Sequence, residues 1–103
     1  MSRYILSHGA ELDLFDALNF RERRSEKAAL ALERQFIDAF SYLSEWPGSG
    51  HVREEVSGAY LRFWRVDDYL ITYNPDSIPL QIHAIIHGSR DMSAAFRSRL
   101  PDL

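Results

Sequence analysis

Three features of the sequence predict an α+β fold, with an N-terminal helical hairpin packed on one face of a small antiparallel sheet of three to four strands. A long apolar stripe at helical spacing occupies the first half. Runs of β-branched and aromatic residues, separated by turn residues, occupy the second half. The length of 103 residues suits a single domain, 1–103, with one modest core. Neither a one-sided helix pair nor a one-sided sheet can bury its apolar face alone, so each must cover the other.

The elements follow in order. Tyr4–Ser7 is a short apolar run that predicts a first strand, ended by His8-Gly9. From Ala10 to Arg24, the residues Ala10, Leu14, Phe15 and Leu18 fall at helical spacing. Glu11, Asp13 and Asp16 sit in its early turns, where carboxylates suit the helix dipole. Ser25 is the expected N-cap of a second helix. That helix carries Ala29, Leu32, Phe36, Ala39, Phe40 and Leu43 on one face, the clearest periodic signal in the chain. Pro47-Gly48-Ser49-Gly50 ends it, and Trp46 is expected to pack the loop onto the core.

Tyr60–Val66 and Tyr69–Tyr73, joined by Asp67-Asp68, predict a hairpin. Asn74–Pro79 is a longer turn, and Leu80–His87 is a further strand. Its centre, Ile82–Ile86, is apolar on nearly both faces and is therefore expected in mid-sheet. Asp91 is the expected cap of a closing helix, Met92–Arg99. The predicted order is β-α-α-β-β-β-α.

Composition narrows the chemistry. Hydrophobic residues at 46% and charged residues at 26% are globular values and argue against disorder. The absence of cysteine removes disulfide scaffolds, thiolate zinc sites and cysteine nucleophiles, and fits a reducing cytoplasm. The apolar run near the start, Tyr4–Leu6, is too short for a signal or an anchor, and no membrane partner is expected. The net charge of −3 is wrong for a protein whose whole surface grips phosphates, so any nucleic-acid role needs a local cluster. Among the twelve bases only Lys27 is lysine. Arginine favours specific forked contacts over a diffuse cationic film.

Three segments together resemble the ParE/RelE family of toxins from type II toxin–antitoxin systems. They are the short strand with its hairpin Ala10–Leu43, the strand pair Leu61–Tyr73, and Ile82–Asp91. The last runs an apolar strand into His87-Gly88-Ser89-Arg90-Asp91, as in the ParE-like branch. The resemblance implies a cytoplasmic toxin of a plasmid-stabilisation module, without a cofactor. A cognate antitoxin would neutralise it within a hetero-oligomer. It further implies inhibition of DNA gyrase, or alternatively a RelE-like cleavage of mRNA on the ribosome. A third possibility is a member that has lost toxicity and only binds antitoxin.

Chemistry separates these. Cleavage through the RNA 2′-hydroxyl needs a base, an acid and a cation. The closing segment Met92–Leu100 holds no tyrosine or histidine, and Phe96 cannot move a proton. The ribonuclease alternative would rest on Arg62, Arg65, His87 and Arg90. Arginine there clamps phosphate but is a poor base. His83 and His87 share a strand face but lie about 13 Å apart, too far for one metal ion. A Ser89–His87–Asp91 hydrolase lacks the Gly-x-Ser-x-Gly elbow. His87 is expected to hold the turn before Gly88, while His8 and His51 are expected in solvated loops.

For partner binding the candidates are Phe15, Leu18, Arg21 and Arg24 on the hairpin, Trp64 on the sheet, and Arg90 and Phe96 in the closing segment. The run Arg21–Arg24 at the hairpin tip is either a solvated face or a contact patch. Trp64 and Phe63 face opposite sides of the sheet. The aromatic face left bare by the hairpin is a partner site, unless the closing helix covers it. An antitoxin tail could lay a helix over the hairpin groove and add a strand to the sheet edge.

Overall fold

A stripe of six residues decides how the layers meet. Ala29, Leu32, Phe36, Ala39, Phe40 and Leu43 are all buried, as their spacing requires. The computed structural model describes residues 3–54, 58–89 and 94. Its elements are β1 (Tyr4–Leu6), α1 (His8–Glu22), α2 (Glu26–Glu45), a 3-10 turn (Pro47–Ser49), β2 (His51–Arg53), β3 (Gly58–Val66), β4 (Tyr69–Asn74) and β5 (Leu80–His87). Ser25 caps α2, its hydroxyl accepting from the Ala28 N–H at 3.1 Å.

The sheet has five strands in the order β1-β5-β4-β3-β2. Two features differ from the expected sheet. β1 pairs with β5 in parallel, whereas the other pairs are antiparallel. His51–Arg53 forms an extra edge strand, too short to show a period, so His51 lies in a strand instead of a loop. The apolar β5 sits between β1 and β4, as its two-sided apolar pattern demands.

β5 runs on past the end of β1, and α1 completes its edge. The Ser7 N–H donates to the Ile82 carbonyl at 2.9 Å and the Ser7 hydroxyl to the His83 carbonyl at 2.9 Å. The same hydroxyl caps α1 by accepting from Ala10 N–H at 3.1 Å. His8-Gly9 therefore opens the helix and does not merely break the strand. One turn on, the Asp13 carboxylate accepts the Ile85 N–H at 2.9 Å. Asp13 thus serves a strand amide that would otherwise be unpaired, a use beyond the helix dipole.

In α1 the buried residues are the small Ala10 and Ala17, with Leu14 and Leu18 partly buried against the core. Phe15 falls outside that stripe and is 63% exposed. The core joins the α2 stripe to Tyr69, Ile71, Tyr73, Leu80, Ile82 and Ile85. Phe36 meets Tyr69 edge-on at 5.7 Å, and Phe40 meets Tyr4 at 5.2 Å. The sheet's other face buries Leu61, Phe63, Thr72, Ala84 and Ile86.

The loop after α2 is held differently from expectation. Trp46 is 60% exposed and does not pack the loop down. Tyr73 does this from within the sheet. Its hydroxyl donates to the Pro47 carbonyl at 2.7 Å and accepts the Gly50 N–H at 2.8 Å. Gly50 is required there, because a Cβ would press on the Tyr73 ring and lie 2.9 Å from the Phe63 carbonyl oxygen. Tyr73→Phe removes the hydroxyl and strands both buried backbone groups. It is expected to cost about 1–3 kcal/mol in urea unfolding. An unchanged unfolding midpoint would refute this role.

A bulge interrupts β5 at His83, since Tyr73 pairs with Ile82 and Thr72 pairs with Ala84. His83 is only 6% exposed, and neither ring nitrogen has a hydrogen-bond partner among the described residues. Burial lowers its pKa below the ordinary 6.5, because the charged ring cannot be solvated. The unfolded chain therefore takes up this proton first as pH falls. The stability from keeping His83 neutral is whole above pH 6.5 and drains as pH drops toward the lower folded value. His83→Leu is expected to shrink the loss of stability between about pH 7.5 and 5.5. An identical loss in both proteins would show that His83 is not responsible.

Candidate interaction surfaces

The hairpin's outer side is apolar where a solvated helix would be polar. α1 buries Ala10 and Ala17 yet also exposes Leu12, Phe15 and Phe20, so apolar side chains stand outside its core-facing side as well. On α2, Leu30 and Ile37 lie seven residues apart, outside the buried stripe, and both are exposed. Between the helices runs a groove of about 160 Å³ lined by Leu18, Glu22, Glu26, Ala29, Leu30 and Glu33. Phe15 lies one helical turn before Leu18. Exposed large apolar side chains beside a groove edged by glutamates are the features of a protein-binding site. Leu12, Leu30 and Ile37 belong to it and were not singled out from the sequence. The signal lay in their apolar character outside the core stripe.

The arginine run at the hairpin tip divides. Both terminal nitrogens of Arg21 lie 3.4 Å from the Asp67 carboxylate oxygens, one to each. This partly buried pair ties the hairpin tip to the β3–β4 turn, where Asp67 has φ 55°. Arg21 is thus engaged within the fold. Arg24 lies over the Phe20 ring at 5.8 Å, an exposed cation–π contact.

Trp64 is not on a bare sheet face. It points to the helix side, is half-buried against the core, and stacks on Tyr42 at 5.6 Å between ring centres. Phe63, on the opposite face, is buried. Arg90 and Phe96 lie outside the described residues, as do Asp91 and, apart from Ala94, the expected closing helix Met92–Arg99.

Arg62, Arg65 and His87 are not brought together. Arg62 stands opposite Tyr73 on the helix side and donates to the Gly50 carbonyl at 2.9 Å. Arg65 stands opposite Leu70 on the other face, and its Nε donates to the Asp67 carbonyl at 3.0 Å. His87 Nδ1 accepts the Ser89 N–H at 3.1 Å and lies 2.7 Å from the Ser89 hydroxyl, holding the turn at Gly88. Its ring meets Tyr69 edge-on at 5.1 Å. Burial raises the pKa of both Tyr69 and Tyr73, so their phenols stay protonated at neutral pH. His8 opens α1 and is exposed. Among the described residues no cluster of acids and histidines could hold a metal ion, and no helix is long and apolar enough to cross a membrane.

A family model described as ParE toxin of type II toxin-antitoxin system, parDE, matches residues 4–92. No curated protein matches the chain. The matched span takes in the helical hairpin and all five strands. The chain therefore belongs to the ParE family of type II toxin–antitoxin toxins, a family whose members have an antitoxin as partner.

Proposed function

We propose that this toxin acts by binding a protein target, DNA gyrase, and that its cognate antitoxin silences it by covering the outer side of the α1–α2 hairpin. The apolar surface around Phe15, Leu18 and Leu30 carries the second part of this reading. It exposes Phe15 and Leu30 beside a groove edged by Glu22, Glu26 and Glu33, large apolar side chains that a simply solvated helix pair would not place outward. The absence of convergence among Arg62, Arg65 and His87 supports a binding mode of action over proton-transfer chemistry. A ribonuclease needs its base and its phosphate clamp within hydrogen-bond reach of one phosphodiester. Here Arg62 and Arg65 lie on opposite faces of β3. Gyrase is the target that the resemblance to ParE-like toxins implies.

The target is tested with purified gyrase. Excess toxin is expected to abolish supercoiling, and one equivalent of antitoxin to restore it. Full supercoiling in the presence of excess toxin would exclude gyrase as the target. The antitoxin surface is tested separately. Phe15→Asp places an unpaired charge in the apolar patch and is expected to weaken antitoxin binding about tenfold or more in calorimetry, with the fold intact. Unchanged affinity would move the antitoxin elsewhere.

A further inference from the structure

Charge is divided between the two layers. Each helix of the hairpin carries four carboxylates, against Arg21 on α1 and Lys27 and Arg34 on α2. No strand carries a carboxylate, whereas β2 and β3 carry Arg53, Arg62 and Arg65. An acidic chain thus holds a sheet with no acid in it.

On the face away from the helices the bases gather around Phe63. His51 pairs directly with Phe63 across the strands, and Arg65 follows Phe63 by two residues on the same face. The Arg53 guanidinium lies 5.7 Å from the centre of the Phe63 ring. With Leu70, and with Trp64 whose ring turns to the helix side, they line a cleft of about 380 Å³. Neither arginine has a carboxylate partner among the described residues. The carboxylate nearest Arg65 in sequence, Asp67, is taken by Arg21, and Glu54, which directly follows Arg53, forms no ion pair with it. Arg65 is anchored through Nε to the Asp67 backbone, which steadies the guanidinium and leaves its terminal nitrogens unspent.

Unpaired arginines held in fixed positions suit phosphate oxygens, which accept the forked N–H pair. Their layout favours a chain of phosphates over a single ion. Arg53 reaches the Phe63 ring from β2 across a break in the β2–β3 register, and Arg65 stands two residues, about 6.6 Å, along β3 from Phe63, so the two arginines reach the cleft from separate points. We propose that this far-face cleft binds the phosphodiester backbone of a nucleic acid, with Arg53 and Arg65 as the phosphate contacts. The acidic hairpin turns the opposite side of the molecule away from the same ligand. The site stands apart from the gyrase proposal and does not depend on it.

The full chain is titrated against labelled single-stranded DNA, single-stranded RNA and duplex DNA, by fluorescence anisotropy at several salt concentrations. Binding of any of the three that is strongest at low salt is expected, and the preferred one names the source of the phosphodiester. The double variant R53Q/R65Q should bind about tenfold more weakly or worse. Its plot of log affinity against log salt should flatten by about 1.4–1.8. R65Q alone, at an exposed position, gives the same direction should the double variant fail to fold. D16N/D38N, at exposed hairpin positions outside the groove, should not weaken binding. Failure to bind any oligonucleotide at low salt would overturn the proposal, as would wild-type binding by folded R53Q/R65Q. Tighter binding of a glutamate-rich peptide than of any nucleic acid would overturn it too.

Discussion

The packing of one face of α2 against one face of the sheet is the constraint on which the rest of the molecule depends. Leu32, Phe36, Phe40 and Leu43 enter a layer made by Tyr69, Ile71, Tyr73 and Ile82. This contact fixes which side of each strand is inward. It thereby sends Trp64 and Arg62 toward the helices and Phe63 and Arg65 away from them. The positions of the surfaces follow from that division.

The same contact explains why α1 remains apolar on its outer side. α2 supplies the large side chains of the core, and α1 contributes chiefly alanines and the flanks of Leu14 and Leu18. Ala10 and Ala17 let the helix lie close, while Ser7 and Asp13 use its first turns to satisfy the β5 edge. Leu12, Phe15 and Phe20 are left exposed among the described residues. The family has an antitoxin as partner, and these side chains are the ones the proposed antitoxin contact would cover.

Much of the fold was legible from period alone. The α2 stripe, the Ser25 cap, the Asp67-Asp68 hairpin and the central place of β5 all rest on local spacing, which sequence displays directly. What could not be read depends on long-range partners. The parallel pairing of β1 with β5 joins residues far apart in the chain. The use of Asp13 as an acceptor for Ile85 looks from the sequence like an ordinary first-turn acid. Phe15 has helical spacing but points outward, because a fifteen-residue apolar helix does not reveal which of its sides meets the core. Trp64 has the alternation of a strand, and alternation alone leaves open which face the hairpin covers. The separation of Arg62 from Arg65 was present in their spacing of three, which in a strand places them on opposite faces.

Amide hydrogen exchange on the free chain tests the central contact most directly. If α2 and the sheet stand or fall together, the amides of Leu32–Leu43 and Ile82–Ile86 should exchange slowest and with one shared free energy of opening, equal to that of global unfolding. Rapid exchange along α2 while β4 and β5 stay protected would contradict the account, because the sheet would then hold its shape without the helix said to organise it.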